Sequence, residues 1–197
     1  VLIIVLRQET VVILFQRGRF DAAATALTSQ VLVFLMIGAF AFAAQTIVVR
    51  GYYAVQNTLF PAVYGTVAVL LSIPVYMAGM LKMGAGGVAL AISLSAVFQV
   101  ALLYILWNKK SENKECHRVY RFYLWTILLS IPLGLFLEFF KRTFLRGLDS
   151  TTLTGSLAVS ILTGLVFVVM VLSAGYILGI TEIKALVSRI LEKINPL

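Results

Sequence analysis

The length of its charge-free apolar runs most constrains what this chain can fold into. No charged residue occurs between Asp21 and Arg50, and none between Arg50 and Lys82. About 20 apolar residues cross a bilayer core as a helix, and these runs reach that length. The chain is 61% hydrophobic and 12% charged, whereas a soluble domain is about 45–50% apolar and about 25% charged. A polytopic membrane protein is the class that fits. Backbone N–H and C=O groups in hydrocarbon must be paired within the protein, which leaves helices or a closed barrel. Barrel strands alternate apolar and polar residues. These runs do not alternate, so the fold class is all-α.

Along the chain, residues 1–6 read as the end of one span, and 7–20 as a partly polar interfacial stretch. Asp21 is placed to cap a helix that the alanines of "DAAATALT" favour. That span runs to about 49 and meets a turn at 56–61, "QNTLFP". Residues 62–81 form the next span, with a kink expected at Pro74 because proline removes a helix hydrogen bond. A turn, "KMGAGG", follows at 82–87. Residues 88–107 form another span, in which Ser93, Ser95 and several alanines suit close helix approach and Gln99 suits an interhelical hydrogen bond. Residues 108–121 are the most polar segment and read as a loop. Residues 122–140 and 151–178 are the last two spans, with a second kink expected at Pro132. The tail, 179–197, has helical apolar spacing with Lys184, Arg189 and Lys193 between, the pattern of an amphipathic surface helix. About five full spans follow the end of a sixth. Val1 lies within an apolar run and no initiator methionine precedes it, so the chain reads as the C-terminal part of a longer protein.

The formal net charge is +8. The cations sit in short segments between apolar runs, where they meet lipid head groups and set orientation. They divide almost evenly between alternate connections, and the dense 108–121 segment tips the balance. That side, with the C-terminus, is expected to be cytoplasmic. Trp107 and Trp125 flank the same segment, as an aromatic belt does.

The eight acidic residues are Glu9, Asp21, Glu112, Glu115, Glu138, Asp149, Glu182 and Glu192, none at the centre of a span. Glu138 precedes Lys141 and Arg142 by about one turn, which suits an interfacial ion pair. Cys116 and His117 occur once each, too few for a zinc site of about four ligands. No catalytic constellation, metal site or cofactor motif is apparent, and no enzyme activity is expected of this segment. Nucleic acid is not an expected partner. Transport remains, since it needs moving helices and a polar path. Arg50, at the end of a span, suits either a phosphate or lipid head groups.

Three motifs, "LFQRGRFDAAATALTSQVL", "RGYYAVQNTLFP" and "GAGGVALAISLSAVFQVALL", occur in an order and spacing that resembles the MurJ/MviN family. That family comprises proposed lipid II flippases of the multidrug/oligosaccharidyl-lipid/polysaccharide exporter superfamily. The resemblance covers roughly 14–104. It implies a MATE-like transporter of fourteen helices, two six-helix lobes and two extra C-terminal helices. On that pattern 1–107 is the end of the ninth helix through the twelfth. Residues 108–121 are a cytoplasmic basic loop, 122–178 the two extra helices and 179–197 a cytoplasmic amphipathic tail. The implied function is alternating-access movement of lipid II, or a similar polyprenyl-pyrophosphate-linked saccharide, across the bacterial inner membrane for peptidoglycan and cell-wall synthesis. Other cell-wall synthesis proteins are implied as possible partners. Export of another lipid-linked oligosaccharide, or a non-transporting scaffold, stands as the alternative. The implied candidates for the substrate pathway or gate are Arg17, Arg50, Gln56 and Asn57. Gly18, Phe20, Tyr53, Pro61 and Gly87 carry motif positions. The family often has Asp where Asn57 stands and Pro where Glu9 stands. It often has amide or acidic residues in the helix holding Ser72 and Tyr76, so a cation site there is not expected to carry over.

Overall fold

The computed structural model describes residues 1–18, 20–111 and 116–177, the last helix's final two side chains and that of Cys116 excepted. Among these residues every regular element is a helix: α1 (Leu2–Val5), α2 (Arg7–Phe15), α3 (Ala22–Ala54), α4 (Leu59–Ser111), α5 (Cys116–Phe144) and α6 (Leu153–Ile177). The last four are long and apolar enough to cross a membrane. The protein is an all-α, multi-pass membrane protein. The amphipathic tail expected at 179–197, Arg19 and residues 112–115 lie outside the described residues.

α3 starts where Asp21 accepts a hydrogen bond from the Ala24 amide at 2.8 Å, satisfying one of the free N–H groups of the first turn. Its 33 residues extend roughly 50 Å at about 1.5 Å per residue, more than the ~30 Å hydrocarbon core. Both its ends therefore reach the interfaces.

α4 has 53 residues but is not straight. Gly84 has φ 60° and ψ −140°, so two helical legs, 59–83 and 85–111, meet at one non-helical residue. A side chain resists that conformation and glycine does not. The legs fold back on each other. Gly79 and Gly87 touch backbone to backbone, and the Gln99 side-chain amide donates to Ser72 Oγ at 3.1 Å. The expected turn at 82–87 thus shrinks to a single residue. Helix continues through Pro74 and Pro132, and the sharp break is at the glycine, because only there is the helical ladder abandoned.

Two compact units follow among the described residues, 14–127 and 1–13 with 128–177. In the first, α3 packs on the second leg of α4. Ala41, Ala96 and Val100 form its small-residue core. The Ser93 hydroxyl, fully buried, donates to the Phe34 carbonyl at 2.6 Å. Positions rise together, with Gln30 and Phe34 by Gly86, Gly38 by Ser93 and Gly51 by Trp107. α3 and the second leg are therefore parallel, and the first leg runs the other way between them in sequence. Small residues allow this close approach where no water drives apolar association.

In the second unit, Leu6, Leu145 and Val159 form the core, with Leu2, Phe140 and Leu148 against it. Val1 lies against Gly134 and Glu9 against Lys141, so α1–α2 and α5 also run side by side in parallel. Residues 7–20, expected as an interfacial stretch, are helical to Phe15, and Val11 and Val12 are buried. The expected loop at 108–121 is narrower than its polarity suggests. α4 runs to Ser111 and α5 begins at Cys116, since lysine and arginine extend helices readily once the chain leaves the hydrocarbon.

Candidate functional site

The candidate residues fall at opposite ends of α3. At its start, Phe20 N–H donates to the Arg17 carbonyl at 3.3 Å and Arg17 N–H to the Phe15 carbonyl at 2.7 Å. Gly18 sits between with φ +61° and open space around it. The Phe15 and Phe20 rings lie 6.1 Å apart. Arg17 is exposed and Phe20 half-buried. The turn is closed by backbone, which leaves the Arg17 guanidinium at the surface.

At the other end the α3–α4 turn is tight. Gln56 adopts φ 56°, uncommon for a residue with a side chain. Its N–H donates to the Tyr53 carbonyl at 2.9 Å, and the Asn57 N–H to the Tyr52 carbonyl at 3.0 Å. Asn57 Oδ1 accepts from the Phe60 N–H at 3.3 Å, capping α4, while Pro61 is buried in the first turn, where its missing N–H costs nothing. Arg50, Tyr53 and Gln56 are exposed. Behind them Tyr52 is fully buried. Its ring stacks on Phe60 at 5.2 Å and meets Trp107 edge-on at 4.8 Å, and its hydroxyl donates to the Leu103 carbonyl at 3.4 Å. Gln56 and Asn57 share this turn, Arg50 lies about one helical turn before it, and the Tyr52, Phe60 and Trp107 rings pack beside it. Arg17 is a helix length away, and Gly87 is buried beside Gly79 in the hairpin, where it serves packing.

A third cluster adds Glu9 to the ion pair expected of Glu138. Glu9 has no exposed surface. The Lys141 ammonium lies 2.8 Å from its Oε1 and 3.0 Å from its Oε2, and also donates to the Val5 carbonyl at 3.0 Å. One turn away Glu138 pairs with Arg142 at 3.0 Å and Arg7 at 3.7 Å. The expected Glu138–Arg142 pair is present, but Lys141 turns instead to Glu9, because a fully buried carboxylate needs a cation more than a partly exposed one does. The outer three charges border a cleft of about 410 Å³ floored by Val1, Ile4, Gly134 and Leu135. The signal in the sequence was a lone carboxylate within "VLIIVLRQETVVILF". Among the described residues no three of His, Cys, Asp and Glu gather into a metal-binding group.

The family model for lipid II flippase MurJ matches residues 1–155. The chain belongs to the MurJ family. A protein of Thermosipho africanus (strain TCF52B) named lipid II flippase MurJ is 30% identical over 97 residues, 49% of this chain and 20% of that protein. A Vibrio cholerae protein (serotype O1, strain ATCC 39315 / El Tor Inaba N16961) named "Probable lipid II flippase MurJ" is 31% identical over 102 residues, 52% of this chain and 19% of that protein. The chain therefore spans about a fifth of the length of the curated MurJ relatives it matches. No solved structure matches. The MurJ match takes in both ends of α3, the α4 hairpin and the Glu9–Lys141 pair.

Proposed function

We propose that the protein to which this chain belongs is a lipid II flippase of the bacterial inner membrane, working by alternating access and catalysing no bond-breaking step. The family match over residues 1–155 carries this reading. The geometry supports it: one exposed arginine, Arg50, lies in the last turns of α3 and another, Arg17, in the turn that precedes it, and a guanidinium binds phosphate oxygens bidentately. Arg50, with Gln56 and Asn57 beside it, meets the substrate pyrophosphate from the cytoplasmic side. Arg17 lies at the outer face, by the turn at Gly18. The parallel course of α3 and the second leg of α4 puts Arg50 and the basic Lys109 and Lys110 on one face, which the positive-inside rule assigns to the cytoplasm. On the same rule the C-terminus is read as cytoplasmic, since the tail carries Lys184, Arg189 and Lys193.

The test is rescue of a bacterium depleted of its own lipid II flippase by the full-length gene. Growth is the expected result. Lysis despite confirmed membrane expression overturns the reading and favours another lipid-linked oligosaccharide or a scaffold role. Impermeant thiol labelling of Lys109→Cys checks orientation, with intact cells expected to be unlabelled.

A further inference from the structure

We propose that the charges on α2 and α5 form a register lock that allows α5 one position along α1–α2 and forbids a one-turn slide either way. The observation is the order of signs on two parallel helices. α2 presents Arg7 and then Glu9. α5 presents Glu138 and then Lys141 and Arg142. In the observed register each carboxylate faces cations: Glu138 faces Arg7 and Arg142, and Glu9 faces Lys141.

Sliding α5 by one turn, about 5.4 Å, reverses this. Moved along its own direction, α5 brings Glu138 to the level of Glu9, and two carboxylates meet in a site that excludes water. Moved the other way, it brings Lys141 and Arg142 to the level of Arg7, and cations meet. Like charges close together are penalised far more in a low-dielectric interior than in water. The lock therefore acts against the alternatives rather than by strengthening the native pairing, which suits what buried ion pairs do best.

Apolar packing does not fix this register alone. Between helices in lipid there is no hydrophobic gain to be lost by sliding, and Gly134, opposite Val1, offers no side chain to interlock. The Lys141 ammonium also reaches the Val5 carbonyl, which adds a directional bond that a shifted helix loses. Leu145, just past the end of α5, and Val159 on α6 both close on Leu6, so the lock acts beside the core of this unit.

Disulfide trapping in the full-length protein, in membranes and with Cys116→Ser, reads the register directly and needs no transport. A Cβ on Gly134 lies 3.4 Å from Val1 Cγ1, so Val1→Cys with Gly134→Cys reports the observed position. Val1→Cys with Ser130→Cys reports α5 advanced by one turn. With native charges the first pair is expected to crosslink at least about tenfold faster than the second. With Glu9→Gln and Lys141→Met together, which removes both buried charges at once, the two pairs are expected to crosslink at rates within about threefold of each other. Glu9→Lys alone is expected to slow the 1/134 crosslink about tenfold or to prevent membrane accumulation, since it places a cation beside Lys141. Retention of the full native preference in the Glu9→Gln/Lys141→Met protein overturns the proposal, as does rapid 1/130 crosslinking with native charges.

Discussion

Lys141 holds Glu9 across 132 positions of sequence, with both carboxylate oxygens within 3.0 Å of one ammonium. Glu9 is wholly buried, while the Lys141 side chain is only 17% exposed. Removing one member leaves the other charged in a dry site, which costs about 3–5 kcal/mol, whereas removing both is near neutral. Lys141→Met is therefore expected to lower stability by about that amount in detergent unfolding, and Glu9→Gln/Lys141→Met to recover most of it. Additive losses in the double variant would contradict a coupled pair.

The α4 hairpin makes opposite predictions for two glycines on the same helix. A Cβ on Gly87 runs into the Gly79 carbonyl, which is backbone and cannot rotate aside. Gly87→Ala is expected to cost about 1–3 kcal/mol by overpacking. Gly65 has open space where its Cβ would be, so Gly65→Ala is expected to be neutral or to stabilise by up to about 1 kcal/mol. Thermal unfolding of the two purified variants against wild type decides the sign of each.

Asp149 sets the pH response of the turn between α5 and α6. Its Oδ1 accepts from the Thr151 hydroxyl at 2.7 Å and the Thr151 N–H at 2.9 Å, and these bonds hold its carboxyl below the ordinary carboxylate value. A folded value below the unfolded one gives stabilisation that is full above the unfolded value near 3.8 and lost as pH falls through the folded one. Hydrogen-exchange protection of 149–156 is expected to be flat from pH 7 to about 5 and to fall below about 4. Asp149→Asn is expected to flatten that dependence. An unchanged acid response in Asp149→Asn would assign it to another group.

Arg50 and Arg17 separate under the flippase reading. A charge-assisted hydrogen bond contributes about 1.5–3 kcal/mol, so Arg50→Gln is expected to slow lipid II movement roughly tenfold or more in vesicles. Arg50→Lys is expected to fall between, since an ammonium lacks the planar fork. Arg17→Gln is expected to change the rate less than about threefold, its turn being closed by backbone alone. Equal rates for Arg50→Gln and wild type would return Arg50 to a lipid-facing role.

How much of this was legible in the sequence depended on how local each signal was. Asp21 as a cap and the long spans could be read because propensity and hydropathy act within a few residues. The glycine-rich "KMGAGG" marked a turn, but that Gly84 alone leaves the helix depends on Gly79 meeting Gly87 across the hairpin. Pro74 is a strong local signal for a kink, yet the sharp change of direction comes ten residues later. Among the candidate site residues, Gln56 and Asn57 fall in the α3–α4 turn with Arg50 about one helical turn before it, a placement their closeness in sequence already implies. The Glu9–Lys141 pair is not implied in that way, because nothing near Glu9 in sequence names a cation on a helix so far along the chain. Glu138 was the better-placed partner for Lys141 by spacing alone.

The single-residue connection at Gly84 also bears on how the hairpin can move. Each leg of α4 is roughly 35–40 Å long at about 1.5 Å per residue, enough to cross the hydrocarbon core. With no slack between them, neither folded leg can slide while the other stays in place. In the folded protein the two legs therefore move along the bilayer normal as one piece, with Lys82 held two residues from the tip.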